Sequence, residues 1–193
     1  MSIDAITRIH DSGKQAVIAV TGGGAGAIGR LLAVPGASRF LLEAQVPYCT
    51  AALDEFLGAK PEQYCSDRTA RAMAMAAYWR ATKLVGLARL MDAARSAVAA
   101  PTADTAPTVD AAPTVDAAHA VDAAQLIGLG VSASLASDRP KRGRHRVHAA
   151  IQTATHTARV SLTLVSGRRT RAEEESIAAD LLLALLEDAT SDS

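Results

Sequence analysis

The chain has 193 residues, of which 49% are hydrophobic and only 3% aromatic, so its core must consist mainly of Leu, Val, Ile and Ala. This composition is typical of a globular domain and excludes a disordered, fibrous or collagen-like chain. Twenty basic residues balance twenty acidic ones, so no net field draws the protein to nucleic acid or to an anionic membrane. The sequence contains no apolar run of about 18 residues, the length of a membrane span. We therefore expect a cytoplasmic protein without nucleic-acid or membrane partners.

The first part of the chain alternates between helical and extended patterns. Ser2 is a candidate cap for a first helix, and Gly13 ends it. An unbroken apolar run then predicts a buried, parallel strand. In chain order, the predicted elements after the first helix are this strand over 15–20, a helix over 27–32, a turn over 34–38 and a strand over 39–46.

The middle of the chain contains a long helix and a repeat. From Ser66, apolar residues recur with a helical period, which predicts a helix to about Val98 with Gly86 as the place where it could break. Residues 100–123 are four copies of one hexapeptide of the type Ala-Pro-Thr-Val-Asp-Ala. Proline in three copies removes donors for strand pairing, and no copy supplies a large apolar residue. We predict that this segment is a disordered insertion.

The last third again mixes strands and a helix. The predicted elements are a buried strand over 126–131, a hairpin of strands over 147–153 and 159–165 joined by 154–157, and an amphipathic helix over 169–188. Because helices and strands alternate along the chain, the sequence predicts an α/β fold, a three-layer α/β/α sandwich with a mixed sheet. Residues 1–193 are predicted to form a single domain that carries the insertion.

The glycine run after the first strand is the sharpest local signal for a ligand. Thr21 is followed by three successive glycines between a strand and a helix, which exposes backbone N–H groups where phosphate or another anion could bind. The G-x-G-x-x-G pattern over 24–29 has no well-placed acidic residue about 20 positions later, so a classical dinucleotide fold is not predicted. A tight turn that needs positive φ would explain the glycines without a ligand.

Two groups of arginines could contact a phosphorylated ligand. One lies in the loop 139–146, and the other comprises Arg168, Arg169 and Arg171. Guanidinium groups bind phosphate through two parallel hydrogen bonds, which favours this interpretation. A solvated loop and the start of a helix explain the same residues equally well.

The histidines and the glutamate run have structural explanations. His145 and His148 are three residues apart, which places them on opposite faces of a strand, so no metal site is predicted. Glu173, Glu174 and Glu175 fall in the first turn of the last helix, where negative charge suits the helix dipole. We predict a structural role for these three carboxylates.

Read together, several short motifs resemble the CinA C-terminal domain family, whose active members are nicotinamide mononucleotide deamidases. The motifs are Ala19-Val20-Thr21-Gly22-Gly23-Gly24, Val34-Pro35-Gly36-Ala37-Ser38, Val46-Pro47-Tyr48-Cys49-Thr50, Cys65-Ser66-Asp67, Val131-Ser132-Ala133-Ser134 and Ser166-Gly167-Arg168-Arg169. Their order and spacing hold across nearly the whole chain outside the insertion. The resemblance implies a small-molecule ligand such as a pyridine nucleotide, no cofactor and a homodimer. It also suggests a nucleotidyltransferase-like protein as a partner.

The resemblance fails at the expected catalytic base. In the family, a lysine five residues beyond the tyrosine is thought to activate a serine nucleophile. Tyr48 matches the tyrosine and Ser38 matches a family serine, but the serine of Ala-Glu-Ser falls on Thr21 and the lysine on Leu53. A hydroxyl is a poor nucleophile without a base, and losing that base typically costs about 10²–10⁴ in rate. Lys60 would need a different loop path to replace the lysine.

Two functions therefore stay open at the sequence level. The first is a degenerate amidohydrolase site that binds a nucleotide-like or phosphorylated ligand without efficient deamidation. The second is an active nicotinamide-nucleotide amidohydrolase with a rearranged site, whose base would be a residue such as Lys60. Its catalytic candidates are Ser38, Tyr48 and Thr21. The predicted ligand-binding residues are Thr21, Gly22, Gly23, Gly24, Ser38, Tyr48, Ser134 and Arg169.

Overall fold

The computed structural model describes residues 1–99, 123–138 and 143–191, and its centre is one five-stranded mixed sheet. The strands are β1 Gln15–Thr21, β2 Leu41–Gln45, β3 Leu126–Ser134, β4 His145–Gln152 and β5 Thr157–Leu164, in the spatial order β2-β1-β3-β4-β5. β1 is parallel to β2 and β3, whereas β3 pairs with β4, and β4 with β5, in antiparallel fashion. The ends of β1, β2 and β3 and the start of β4 therefore share one edge, which we call the carboxyl edge.

Six helices in the described residues cover the two faces of the sheet. They are α1 Ile3–His10, α2 Gly26–Ala33, α3 Ala37–Phe40, α4 Thr50–Leu57, α5 Asp67–Ala99 and α6 Arg171–Ser191, with a 3-10 turn at Ala123–Gln125 before β3. α1, α2 and α6 bury apolar residues in a large cluster on one face, and α4 and α5 pack on the other. This arrangement confirms the predicted three-layer sandwich. None of the helices described combines the length and the apolar composition needed to cross a bilayer.

Apart from α4, the first and last thirds of the chain follow the predicted elements, with ends that shift by a few residues. The strand predicted over 39–46 begins only at Leu41, because the residues before it close the short helix α3. α5 continues through Gly86 without a break. The predicted insertion lies outside the described residues except for its last residue, and 139–142 of the first arginine group lie outside them as well.

Helix α4 was not predicted from the sequence. Its apolar residues recur at helical spacing, and Gly58 ends it in the left-handed region with φ of 71°. Both signals are present in the sequence, but the helix has only eight residues and its capping residue, Cys49, makes no side-chain hydrogen bond to it. A short helix without a polar cap is hard to distinguish from a loop.

Two residues of β3, Gly128 and Gly130, have no side chain where the strand contacts α5. A Cβ at Gly130 would collide with the backbone of Ala70 and Ala74, and a Cβ at Gly128 would collide with the backbone of Ala74 and Tyr78. α5 presents small, fully buried residues to this region: Ala70, Ala74, Ala77 and Ala81. The helix therefore lies directly on the central strand, and the alanines of α5 serve this close packing.

We expect Gly130→Ala to destabilise the fold, because the added methyl group must push the α5 backbone away from β3. Overpacking of this kind typically costs about 1–3 kcal/mol. Gly86→Ala, in α5, is the control for an added methyl group, since nothing lies within 4 Å of an added Cβ there. It should instead stabilise the protein by up to about 1 kcal/mol, because alanine is the better helix former. Urea unfolding of both variants measures the difference, and equal effects would contradict the proposed contact.

Candidate functional site

A cavity of about 430 Å³ opens at the carboxyl edge, between the ends of β1 and β2 and the start of α6. β1 leads into it through the glycine turn, and the segment after β2 contributes Tyr48, which is 67% exposed. α6 contributes a positive and a negative side chain. The lining residues are Val20, Gly22, Gly23, Ala25, Val46, Tyr48, Arg171, Ala172 and Glu175.

The carboxyl edge brings together most of the predicted site residues. Thr21 is the last residue of β1 and is buried, and Ser134 is the last residue of the neighbouring strand β3. Gly22, Gly23 and Tyr48 line the cavity itself. Arg169 is exposed just before α6, and the cavity is lined by Arg171 instead.

Ser38 lies at the opposite edge of the sheet. It belongs to α3, which precedes β2 and is held there by an ion pair between Arg39 and Asp11. Leu41, the first residue of β2, is level with Ala16, whereas Thr21 is five residues further along β1. At about 3.3 Å per residue, the start of β2 is roughly 16 Å from the level of Thr21, and Ser38 precedes that start. The two hydroxyls do not share a pocket within this chain.

The N–H groups of the glycine turn point at a carboxylate of the chain itself. The Gly24 N–H donates to both oxygens of Glu175, at 2.9 Å each, and the Gly26 N–H donates to Glu175 Oε1 at 3.1 Å. Gly22 and Gly24 have φ values of 74° and 94°, so the turn needs glycine for its backbone shape. The predicted anion site therefore contains an anion that is covalently part of the protein.

Arg171 holds the glycine turn from the other side. Its guanidinium donates to the carbonyl oxygen of Gly22 at 2.9 Å and to that of Ala136 at 3.3 Å. Arg171 and Glu175 are four residues apart on α6, a spacing at which opposite charges commonly pair. Within the part of the chain that the structure describes, they form no ion pair within 4.0 Å, because each is directed to backbone groups of the loops.

The other two glutamates of the run have different partners. Glu173 accepts hydrogen bonds from the backbone N–H and the hydroxyl of Thr170, which lower the pKa of its carboxyl group and close a capping box. Glu174 is fully buried, where it accepts from the Ala136 N–H at 2.7 Å and pairs with His145 Nδ1 at 2.8 Å. Glu174 therefore joins both ends of the β3–β4 connection to α6.

The histidines of β4 face opposite sides of the sheet, as their spacing predicts. His145 faces α6 and Glu174, whereas the Nδ1 of His148 lies 2.7 Å from the Ser161 hydroxyl. Burial, together with the charge of Arg146, lowers the pKa of His148, so it is neutral near pH 7. Among the described residues, no group of three His, Cys, Asp or Glu side chains is placed to hold a metal ion.

Neither Lys14 nor Lys60 lines the cavity at the carboxyl edge. Leu53, the position to which the sequence resemblance assigns the family lysine, is 2% exposed and packs in an apolar cluster with Ala19 and Met73. Lys14 donates to the carbonyl oxygen of Ala189 at 2.7 Å. Lys60 lines a different cavity of about 640 Å³, formed by the residues between α4 and α5 and the start of α5.

Comparisons with known proteins identify the fold. No family model and no curated protein sequence matches the chain. Solved structures of the CinA superfamily match over nearly its whole length. The competence/damage-inducible protein CihA from Agrobacterium tumefaciens is 16% identical, covers 97% of this chain and 94% of its own, and superimposes with a TM-score of 0.64.

Two further CinA superfamily structures support the same conclusion. The protein KP700603 from Klebsiella pneumoniae is 13% identical, with 99% of this chain and 98% of that chain covered and a TM-score of 0.62. The protein from Enterobacter cloacae is 16% identical, with 97% and 89% covered and a TM-score of 0.60. The resemblance inferred from short motifs is thus confirmed at the level of the fold.

We expect Glu174→Ala to be strongly destabilising, because it removes one partner of a buried pair and leaves the Ala136 N–H and His145 without their acceptor. Breaking such a pair typically costs about 3–5 kcal/mol. Glu62→Ala is the control, since its ion pair with Arg68 spans 3.4 Å between two largely exposed side chains. Its effect should stay below about 0.5 kcal/mol. Denaturant unfolding compares the two variants, and a small loss in Glu174→Ala would contradict the role given to this pair.

Proposed function

We propose that this chain is a CinA-like domain that binds a phosphorylated, nucleotide-like small molecule at the carboxyl edge and does not deamidate it efficiently. One observation carries this proposal. The position of the family's activating lysine is Leu53, whose side chain is buried in hydrocarbon.

Neither of the two hydroxyls that could attack an amide, those of Thr21 and Ser38, has a base beside it among the described residues. No lysine or histidine side chain in residues 1–99, 123–138 and 143–191 hydrogen bonds to Thr21 or Ser38. A threonine or serine hydroxyl needs such a partner to lose its proton during attack. Thr21 is also only 8% exposed, which restricts the approach of a substrate carbonyl. These features favour binding over hydrolysis.

The cavity has the size and the chemistry for a small ligand. Its volume of about 430 Å³ lies within the range of about 300–1,000 Å³ that small-molecule sites occupy. Arg171 has five N–H donors and uses only part of them on the two backbone carbonyls, so it can still contact a phosphate. The exposed ring of Tyr48 offers an apolar surface to a planar base. The pyridine nucleotide implied by the family resemblance combines these groups.

The proposal predicts binding of nicotinamide mononucleotide without turnover. Calorimetric titration should detect the complex, while an ammonia assay under the same conditions should stay at the background rate. Arg171→Ala should weaken binding by about 10- to 100-fold, because it removes charge-assisted hydrogen bonds to the phosphate. Ser38→Ala should bind like the wild type, because Ser38 lies at the opposite edge.

Two results would contradict this proposal. Ammonia release that Thr21→Val abolishes would establish the alternative, an active amidohydrolase with Thr21 as its nucleophile. Absence of binding to the wild type, in a sample whose folded state is verified by circular dichroism, would exclude a pyridine-nucleotide site at this edge.

A further inference from the structure

Glu175 changes what the glycine turn can bind. Consecutive backbone N–H groups at the start of a helix attract anions because their partial positive charges converge. In this chain, the N–H groups of Gly24 and Gly26 already donate to the two oxygens of Glu175, at 2.9–3.1 Å. A phosphate or carboxylate of a ligand would have to displace this side chain before it could reach them.

Arg171 does not form an ion pair with Glu175. Arg171, one helical turn earlier on α6, is directed to the carbonyl oxygens of Gly22 and Ala136. Both side chains line the cavity of about 430 Å³, and Glu175 is only partly buried there. A ligand in the cavity therefore meets the carboxylate of Glu175 at the glycine turn and the guanidinium of Arg171 next to it.

We propose that Glu175 determines the specificity of this cavity by occupying the glycine turn as a built-in anion. It keeps phosphate and carboxylate groups away from the turn. The anionic group of a ligand binds at Arg171, and a cationic group or an N–H donor faces Glu175. This orientation rests on the proposed ligand-binding function, whereas the exclusion of anions from the turn does not depend on it.

The exclusion is tested with inorganic phosphate alone. The unfolding temperature of the full chain is measured in phosphate and in chloride at equal ionic strength. The wild type gives the baseline shift between the two salts, which includes the general stabilising effect of phosphate and any phosphate bound at Arg171. Glu175→Gln removes the charge and one of the two acceptors, so phosphate should bind the turn and raise the unfolding temperature by about 3–5 °C at ten times its dissociation constant.

A matched control removes the same charge elsewhere on α6. Glu187→Gln lies three turns further along the helix, where Glu187 pairs with Arg8 at 2.7 Å, and phosphate should shift its unfolding temperature no more than that of the wild type. A Glu175→Gln variant that is weakly folded stays informative, because phosphate should then restore its stability. If phosphate shifts Glu175→Gln no more than it shifts Glu187→Gln, the inference is wrong.

The orientation of the ligand is tested with two nucleotides. The wild type should bind nicotinamide mononucleotide at least about tenfold more tightly than nicotinate mononucleotide, because the extra carboxylate of the acid is repelled by Glu175. Glu175→Gln should lose most of this preference. Equal affinities in the wild type would refute the orientation. If the wild type binds neither nucleotide, the proposed function is wrong. The phosphate experiment would still test whether Glu175 keeps anions away from the glycine turn.

Discussion

The close contact between α5 and β3 depends on two positions that carry no side chain. Because Gly128 and Gly130 lie against the backbone of α5, the helix approaches the central strand more closely than a larger residue would allow. The other face of β3 packs Ile127, Leu129 and Val131 into the large cluster under α1, α2 and α6. β3 is thereby fixed between the two helical layers, and its register with β1 brings Ser132 beside Thr21. The cavity at the carboxyl edge depends on this register, since both loops that α6 contacts begin there.

Charged side chains in the first turn of α6 connect these loops, and each of them has a different partner. Glu173 caps the helix, Glu174 joins the two ends of the β3–β4 connection, and Glu175 holds the glycine turn. Arg171 adds bonds to a carbonyl oxygen in each of the two loops. A negative charge near a helix N-terminus is favourable by itself. In this chain, two of the three carboxylates also satisfy backbone N–H groups of other segments, so the helix start determines the shape of the site.

The sequence predicts most of the helices and strands, but it does not predict which distant residues contact each other. The strand β1, the cap at Ser2 and the terminal helix follow from local apolar periodicity and capping residues, which the structure reproduces. The glycine turn was also recognisable, because strand, glycines and helix are adjacent in the chain. Its partner was not, since Glu175 is 151 residues from Gly24 and no local pattern links the two. Ser38 illustrates the reverse case: its motif suggested a site residue, but the parallel pairing of β1 and β2 places it at the far edge.

Two features of the carboxyl edge oppose the step in which an amidase attacks its substrate. Attack on an amide produces a negatively charged oxygen, which enzymes stabilise with preorganised N–H donors. The N–H groups of the glycine turn are the obvious donors at this edge, and those of Gly24 and Gly26 already bind Glu175. The nucleophile must also lose a proton, and hydrocarbon at Leu53 cannot accept it. A carboxylate in the turn would repel the developing oxyanion as well, so an amine introduced at position 53 would assist only the proton transfer. This charge distribution at the carboxyl edge supports the proposal that the site binds its ligand without hydrolysing it.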